Sequence, residues 1–195
     1  AFGAFANHGV LCESFGIQRI VKGEGDVLFE QISKRKVALS EPTAYIMTDM
    51  LRSVVDHGTA AATRSVYNFY RPAAGKTGTT NDFTDAWFVG FTPQLVAGVW
   101  VGLDDPAISL GEGMSGARAA LPIWANFMRM AYDSLGWEEA DFSIPEGVVR
   151  LDICADSFQK AREFCPNVFK EVYKVDDAPM DFCPLHTGYS RRGKW

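Results

Sequence analysis

Ala73-Ala74-Gly75-Lys76-Thr77-Gly78-Thr79-Thr80-Asn81-Asp82, followed by Asp85-Ala86-Trp87-Phe88-Val89-Gly90-Phe91, is the stretch on which the reading of this chain turns. Thr92-Pro93-Gln94 reverses direction, and Leu95-Val96-Ala97-Gly98-Val99-Trp100-Val101-Gly102 reads as the returning strand of a hairpin. Valine and aromatic residues occupy both alternations, which predicts a central sheet covered on each face. On a strand, Thr77 and Thr79 share one face, while Lys76 alternates to the other unless its long side chain turns back. Gly78 has no side chain, so a ligand backbone can approach and pair with the strand edge. The ligand this pattern suits is an anionic peptide, its carboxylate held by hydroxyls and an ammonium.

Gly75-Lys76-Thr77 also matches the end of a phosphate loop, G-x-x-x-x-G-K-[ST]. That loop needs glycine at position 70, where Tyr70 stands, and a helix directly afterwards, where an aromatic strand follows. Upstream, Ser40-Glu41-Pro42 announces a helix with Ser40 at the cap. Tyr45, Ile46, Met50, Leu51 and Val54 follow at helical spacing as core, and His57-Gly58 ends it. Nearer the start, Phe15 to Val21 alternates like a strand, with Gly23-Glu24-Gly25-Asp26 turning into Val27-Leu28-Phe29. Ala1 to Gly9 reads as the end of a helix, with Asn7 and Gly9 in left-handed positions, so the chain is expected to start inside a longer protein. Downstream, Leu121, Trp124, Phe127, Met128 and Ala131 form a helical stripe interrupted by Pro122. Beyond Gly136 the composition shifts. Residues 1–141 are read as one domain and 142–195 as a cysteine-containing tail.

The 195 residues carry 19 Lys and Arg against 24 Asp and Glu, a net charge of −5. That balance argues against a nucleic-acid partner, for which basic residues must be concentrated. Lys34-Arg35-Lys36 and Arg191-Arg192 are too short to change it. At 47% hydrophobic and 22% charged, the chain is an ordinary globule, and no apolar run reaches the ~18 residues of a membrane helix.

The neighbourhood of Lys76-Thr77-Gly78 resembles the transpeptidase domain of class A, bifunctional penicillin-binding proteins. The ordered set comprises A-x-x-x-F-A-N-x-G at Ala1 to Gly9, Leu51-Arg52-Ser53-Val54-Val55-Asp56-His57-Gly58-Thr59-Ala60, the segment from Ala74 to Asp82, and Asp85 to Pro93. Val99-Trp100-Val101-Gly102 with Asp104, then Ala120-Leu121-Pro122-Ile123-Trp124, complete it. The resemblance implies an α/β (α+β) fold, an antiparallel sheet flanked by helices, shared with serine β-lactamases and incomplete at its N-terminus. It implies serine acyl transfer: S-x-x-K supplies the nucleophile and its lysine, S-x-N a second wall, and K-T-G the third. Lys76 would shape the electrostatics, while Thr77, Thr79 and Thr80 would bind the carboxylate-bearing stem peptide or a β-lactam. The Thr79 amide would belong to the oxyanion hole. No cofactor is implied. The parent would be anchored by an upstream segment on the outer face of the bacterial membrane, with a glycosyltransferase module also upstream.

Only 75 residues precede Lys76, and the family's nucleophile lies farther back. The two literal S-x-x-K matches read as false: Ser33-Lys34-Arg35-Lys36 is highly charged, and Ser157-Phe158-Gln159-Lys160 follows K-T-G. No S-x-N occurs. The expectation is therefore a chain inactive alone, completed by the remainder of the transpeptidase domain. A non-catalytic relic, a partner-dependent binding module and a β-lactamase relative are the alternatives. His8 and His57 read as helix-end caps, Asp82 and Asp85 as structural, and Asp104-Asp105 as a turn. Cys154, Cys165, Cys183 and His186 follow C-x10-C-x17-C-x2-H, a set that zinc accepts. An extracytoplasmic location instead favours a disulfide between two tail cysteines, with free thiols third.

Overall fold

In chain order the elements are α1 (Phe2–Ala6), β1 (Val10–Cys12), β2 (Arg19–Val21), β3 (Val27–Glu30), β4 (Arg35–Val37), α2 (Glu41–Asp56), α3 (Ala62–Ser65), β5 (Ala74–Thr79), β6 (Asp85–Phe91), β7 (Val96–Gly102), α4 (Gly116–Ala119), α5 (Leu121–Leu135), β8 (Val148–Cys154) and β9 (Val168–Lys174). The computed structural model describes residues 1–23 and 25–188; Glu24 of the expected turn and the pair Arg191-Arg192 lie outside the described residues. The chain divides into two compact units, Ala1–Ser143 and Ile144–Trp195. The break falls two residues beyond the expected one because Asp141 pairs with Arg52 at 3.1 Å and Phe142 packs edge-on to Phe91, rings 5.7 Å apart.

In the first unit, β5, β6 and β7 form an antiparallel meander in that order. Cross-strand partners place Thr77 with Phe88 and Val99, and Thr79 with Ala86 and Val101, on one face. Against that face lies α5, which starts at Leu121 because Pro122 fits a first helical turn and cannot continue from α4. Trp124 anchors it: the ring packs on Phe88 at 5.0 Å and Phe69 at 5.7 Å, and Nε1–H donates to the Ala97 carbonyl at 3.1 Å. Gly90 is required beneath that ring, since a Cβ there would stand 2.7 Å from it. The opposite face is covered only at one end, where Phe91 meets Phe2 and Phe142. At the other end Trp87 and Trp100 pair across the strands and remain 45% exposed, so the expectation of a sheet covered on both faces holds only in part.

Helix α2 begins as the cap predicts, Ser40 Oγ accepting from the Thr43 amide at 3.4 Å, and His57 follows its last turn. Its buried stripe is Ala44, Tyr45, Thr48, Leu51 and Val55. Met50 is 58% exposed, one position off that stripe, and Phe127 on α5 is likewise half exposed; both were expected in the core. β2 and β3 form the expected hairpin, but Phe15 to Gln18 stay outside β2, whose partner is only four residues long. At the end of α1 the left-handed positions are His8 and Gly9 rather than Asn7, and a Cβ on Gly9 would stand 2.2 Å from the Leu39 carbonyl oxygen. The His8 ring faces Glu41 at 3.0 Å instead of capping α1 carbonyls, because Glu41 opens the next helix nearby.

Candidate functional site

Lys76, Thr77, Gly78 and Thr79 lie on β5, and among the described residues no strand pairs with its outer edge. The Thr80 amide donates inward to the Asp85 carbonyl at 3.1 Å. Inward-facing amides alternate along an antiparallel strand, so the N–H and C=O of Thr79 and Thr77 face the open edge. An extended peptide laid there would find the outward amides of Thr77 and Thr79 and the outward carbonyl of Thr79. Lys76 sits on the face opposite the threonines, yet its Nζ–H reaches around to the Thr77 carbonyl at 2.9 Å. Its exposed ammonium is thereby turned towards that edge.

The two hydroxyls are positioned by residues distant in sequence. Thr77 Oγ1 stands 2.9 Å from Thr59 Oγ1, just after α2, and Thr79 Oγ1 accepts from the Gly116 amide at 3.0 Å, at the start of α4. A hydroxyl has one proton, and with its lone pair engaged by Gly116 the Thr79 proton is free to donate to an anion. Gly116 is irreplaceable by geometry: a Cβ would come 2.2 Å from the Trp87 carbonyl oxygen and 2.6 Å from that of Gly78. Nothing local to Thr59 or Gly116 in the sequence signals these roles.

Thr80, expected to bind substrate, is committed elsewhere. Its Oγ1 accepts from the Asp85 amide at 2.8 Å and bonds Thr84 Oγ1 at 2.8 Å, holding the turn between β5 and β6. The Asp85 carboxylate receives Trp100 Nε1–H at 2.8 Å and Thr84 Oγ1–H at 3.2 Å, while Asp82 adopts a left-handed turn conformation. Asp105 accepts the Ala107 amide at 2.9 Å, a turn as expected. Ser33 precedes the exposed strand β4, where Lys36 is solvated.

In the second unit β8 and β9 pair antiparallel, and the ligand atoms of Cys154, Cys165, Cys183 and His186 converge within 4.8 Å of one another. The expectation was a disulfide between two tail cysteines; here no bond joins the three cysteines, and the Cys154 and Cys183 sulfurs stand 3.6 Å apart. Three sulfurs and an imidazole share one centre, and a single S–S bond would match only two of the four groups. Burial pushes the Cys183 thiol up, but bonds from Ser157 and the His186 and Leu185 amides outweigh it and bring the group to about 6. Burial raises Cys165, and the Cys183 sulfur raises His186. The hydroxyl of Ser157, of the second S-x-x-K match, accepts from the Gln159 amide at 3.4 Å.

The family described as "Penicillin binding protein transpeptidase domain" matches residues 1–129. Penicillin-binding protein 1A of Aquifex aeolicus is 43% identical over 168 residues, 86% of this chain and 22% of the relative. That of Clostridium tetani is 32% identical over the whole chain and 25% of the relative, so the chain spans about a quarter or less of these curated relatives. The crystal structure of penicillin-binding protein 1A from Haemophilus influenzae shares the fold, with a TM-score of 0.81 at 24% identity over 93% of this chain and 32% of the other. PonA1 from Mycobacterium tuberculosis, solved with penicillin V, gives a TM-score of 0.56 at 26% identity over 74% of this chain and 38% of the other. With its threonine-lined edge strand set in that mixed fold, the chain belongs to the penicillin-binding protein transpeptidase domain family, as a part homologous to the class A penicillin-binding protein 1A.

Proposed function

We propose that β5 forms one wall of the acyl-transfer site of a serine-type D-Ala–D-Ala transpeptidase that cross-links peptidoglycan stem peptides and is trapped by β-lactams. The observation that carries this reading is the open β5 edge, where outward amides, two hydroxyls on one face and the Lys76 ammonium surround Gly78. The donor peptide lies along β5, its terminal carboxylate accepts from Thr77 and Thr79, and the Thr79 amide donates to the oxyanion that develops at the scissile carbonyl. The serine comes from the remainder of the domain. Its oxygen bonds to that carbonyl carbon as the C–N bond breaks, D-Ala leaves with the proton, and the amine of a second stem peptide displaces the serine. The outer edge of β7 is also unpaired among the described residues, a place for that remainder to extend the sheet. No helix among the described residues is long and apolar enough to cross a membrane; an upstream anchor would hold the parent on the outer face of the bacterial membrane, where cell-wall substrate is found.

The test uses fluorescent penicillin and a denaturing gel. The chain alone acquires no covalent label, because the nucleophile is absent. In the longer protein, Lys76→Ala and Thr79→Val each lower the acylation rate about ten- to a hundred-fold, the loss of one charge-assisted contact worth ~1.5–3 kcal/mol. A labelled band from the isolated chain, or unchanged rates in both variants, would sink the assignment.

A further inference from the structure

The second unit has almost no hydrophobic interior. Among its described residues, the buried apolar ones are Ile153, Cys154, Val172 and Cys183, and two of these four are cysteines aimed at one point. A unit of about fifty residues with so small a core needs a cross-link to stay folded.

The spacing of the donor atoms specifies which one. Zinc–sulfur bonds of about 2.3 Å and zinc–nitrogen bonds of about 2.0–2.1 Å at tetrahedral angles put sulfurs about 3.8 Å apart and sulfur about 3.6 Å from nitrogen. The observed values are 3.6 Å between the Cys154 and Cys183 sulfurs, and 3.5 and 3.3 Å from those sulfurs to His186 Nδ1. A bonded sulfur pair would stand ~2.05 Å apart.

The surroundings orient the ligands. The Arg162 amide donates to Cys165 Sγ at 3.2 Å. His186 Nε2 lies 3.4 Å from Asp156 Oδ2, so the carboxylate holds the ring proton there and leaves the Nδ1 lone pair facing the sulfurs. Hydrogen bonds tie the ligand-bearing loops together: the Lys160 amide donates to the Asp181 carbonyl, the Cys183 amide to the Lys160 carbonyl at 2.8 Å, and Arg162 Nε–H to the Cys183 carbonyl at 2.8 Å.

We propose that Cys154, Cys165, Cys183 and His186 form a closed structural zinc(II) site that acts as the core of the second unit. Three thiolates and one neutral imidazole fill all four positions, leaving none for water or substrate, so the site holds the fold and does no catalysis. Soft sulfur donors in tetrahedral array select zinc over magnesium or calcium. Loading releases the thiol protons, so affinity falls as pH falls.

The experiment uses the full chain purified without added metal or chelator. Elemental analysis should give one zinc per chain, and titration of the denatured, unreduced chain four thiols. Cobalt(II) exchanged into the site should show the intense sulfur-to-metal charge-transfer absorption of a thiolate complex. Cys183→Ser abolishes stoichiometric zinc, His186→Cys retains it, and Cys12→Ser changes nothing. Asp156→Asn, which leaves all four ligands in place, weakens zinc about 10- to 100-fold in competition with a chelator. A disulfide, four thiols with no metal, or zinc retained by Cys183→Ser would overturn the proposal, whether or not that variant folds, because the first two are read on the unmodified chain.

Discussion

Single atoms decide the β5 edge. Thr79 offers its proton outward only because the Gly116 amide occupies the other side of its oxygen, at 3.0 Å. That amide can approach only because position 116 has no Cβ; adding one forces it against the carbonyl oxygens of Trp87 and Gly78. Neither oxygen can move without breaking the β5–β6 ladder, so Gly116→Ala must push α4 off the strand. Overpacking of this kind costs about 1–3 kcal/mol. The expected outcome is a lower melting temperature in the isolated chain and slower β-lactam acylation in the longer protein. An unshifted melting curve would mean that α4 accommodates the methyl and that the close approach has no consequence. Gly75-Lys76-Thr77-Gly78 can be read from sequence because strand alternation alone sorts its side chains. Thr59 and Gly116 cannot, since their roles arise 18 and 37 residues away from the hydroxyls they meet.

At the scale of elements, α5 is held by one residue more than by its stripe. Trp124 is fully buried, packs on Phe88 and Phe69, and spends its only donor on the Ala97 and Gly90 carbonyls. Trp124→Ala therefore leaves a ring-sized cavity and should cost about 3–5 kcal/mol. Phe127→Ala, three residues along the same helix but half exposed, should cost on the order of 0.5 kcal/mol. Urea unfolding of the two variants checks the contrast, and comparable losses would show that the helix is held along its whole length. The same pair shows where sequence reading stops. Period 3.6 found the helix, and Pro122 marked an interruption in its stripe that the structure resolves as the first turn of α5, because both depend on neighbours in the chain. It could not resolve which side of a broad apolar stripe meets the sheet, so Phe127, like Met50 on α2, was expected inside. The hydroxyl of Thr80 illustrates a related limit: it is taken by the turn that joins β5 to β6, whose closure is invisible in a residue list.

On the scale of the whole molecule, two units stabilised by different means share one chain. Ala1–Ser143 has a continuous interior built from Val55, Phe69, Phe88, Leu121, Trp124 and Met128, whereas the second unit has a cluster of three cysteines and a histidine where a core would be. The count of cysteines and the compact Cys183-Pro184-Leu185-His186 pair were legible in the sequence. Their convergence was not, because it depends on the chain returning through the Lys160 bridges to Ile153 and Phe182. If zinc is that interior, its removal should unfold one unit and spare the other, since binding energy at a structural site is folding energy. Chelation of the full chain at neutral pH should therefore speed amide exchange in β8 and β9 to near that of an open chain, while β5, β6 and β7 stay protected. Limited proteolysis should then trim the chain back towards Ser143, and zinc added before the protease should restore resistance. Equal loss of protection in both units would instead make them one cooperative body, and unchanged protection in β8 and β9 would show that their own ladder suffices without the ion.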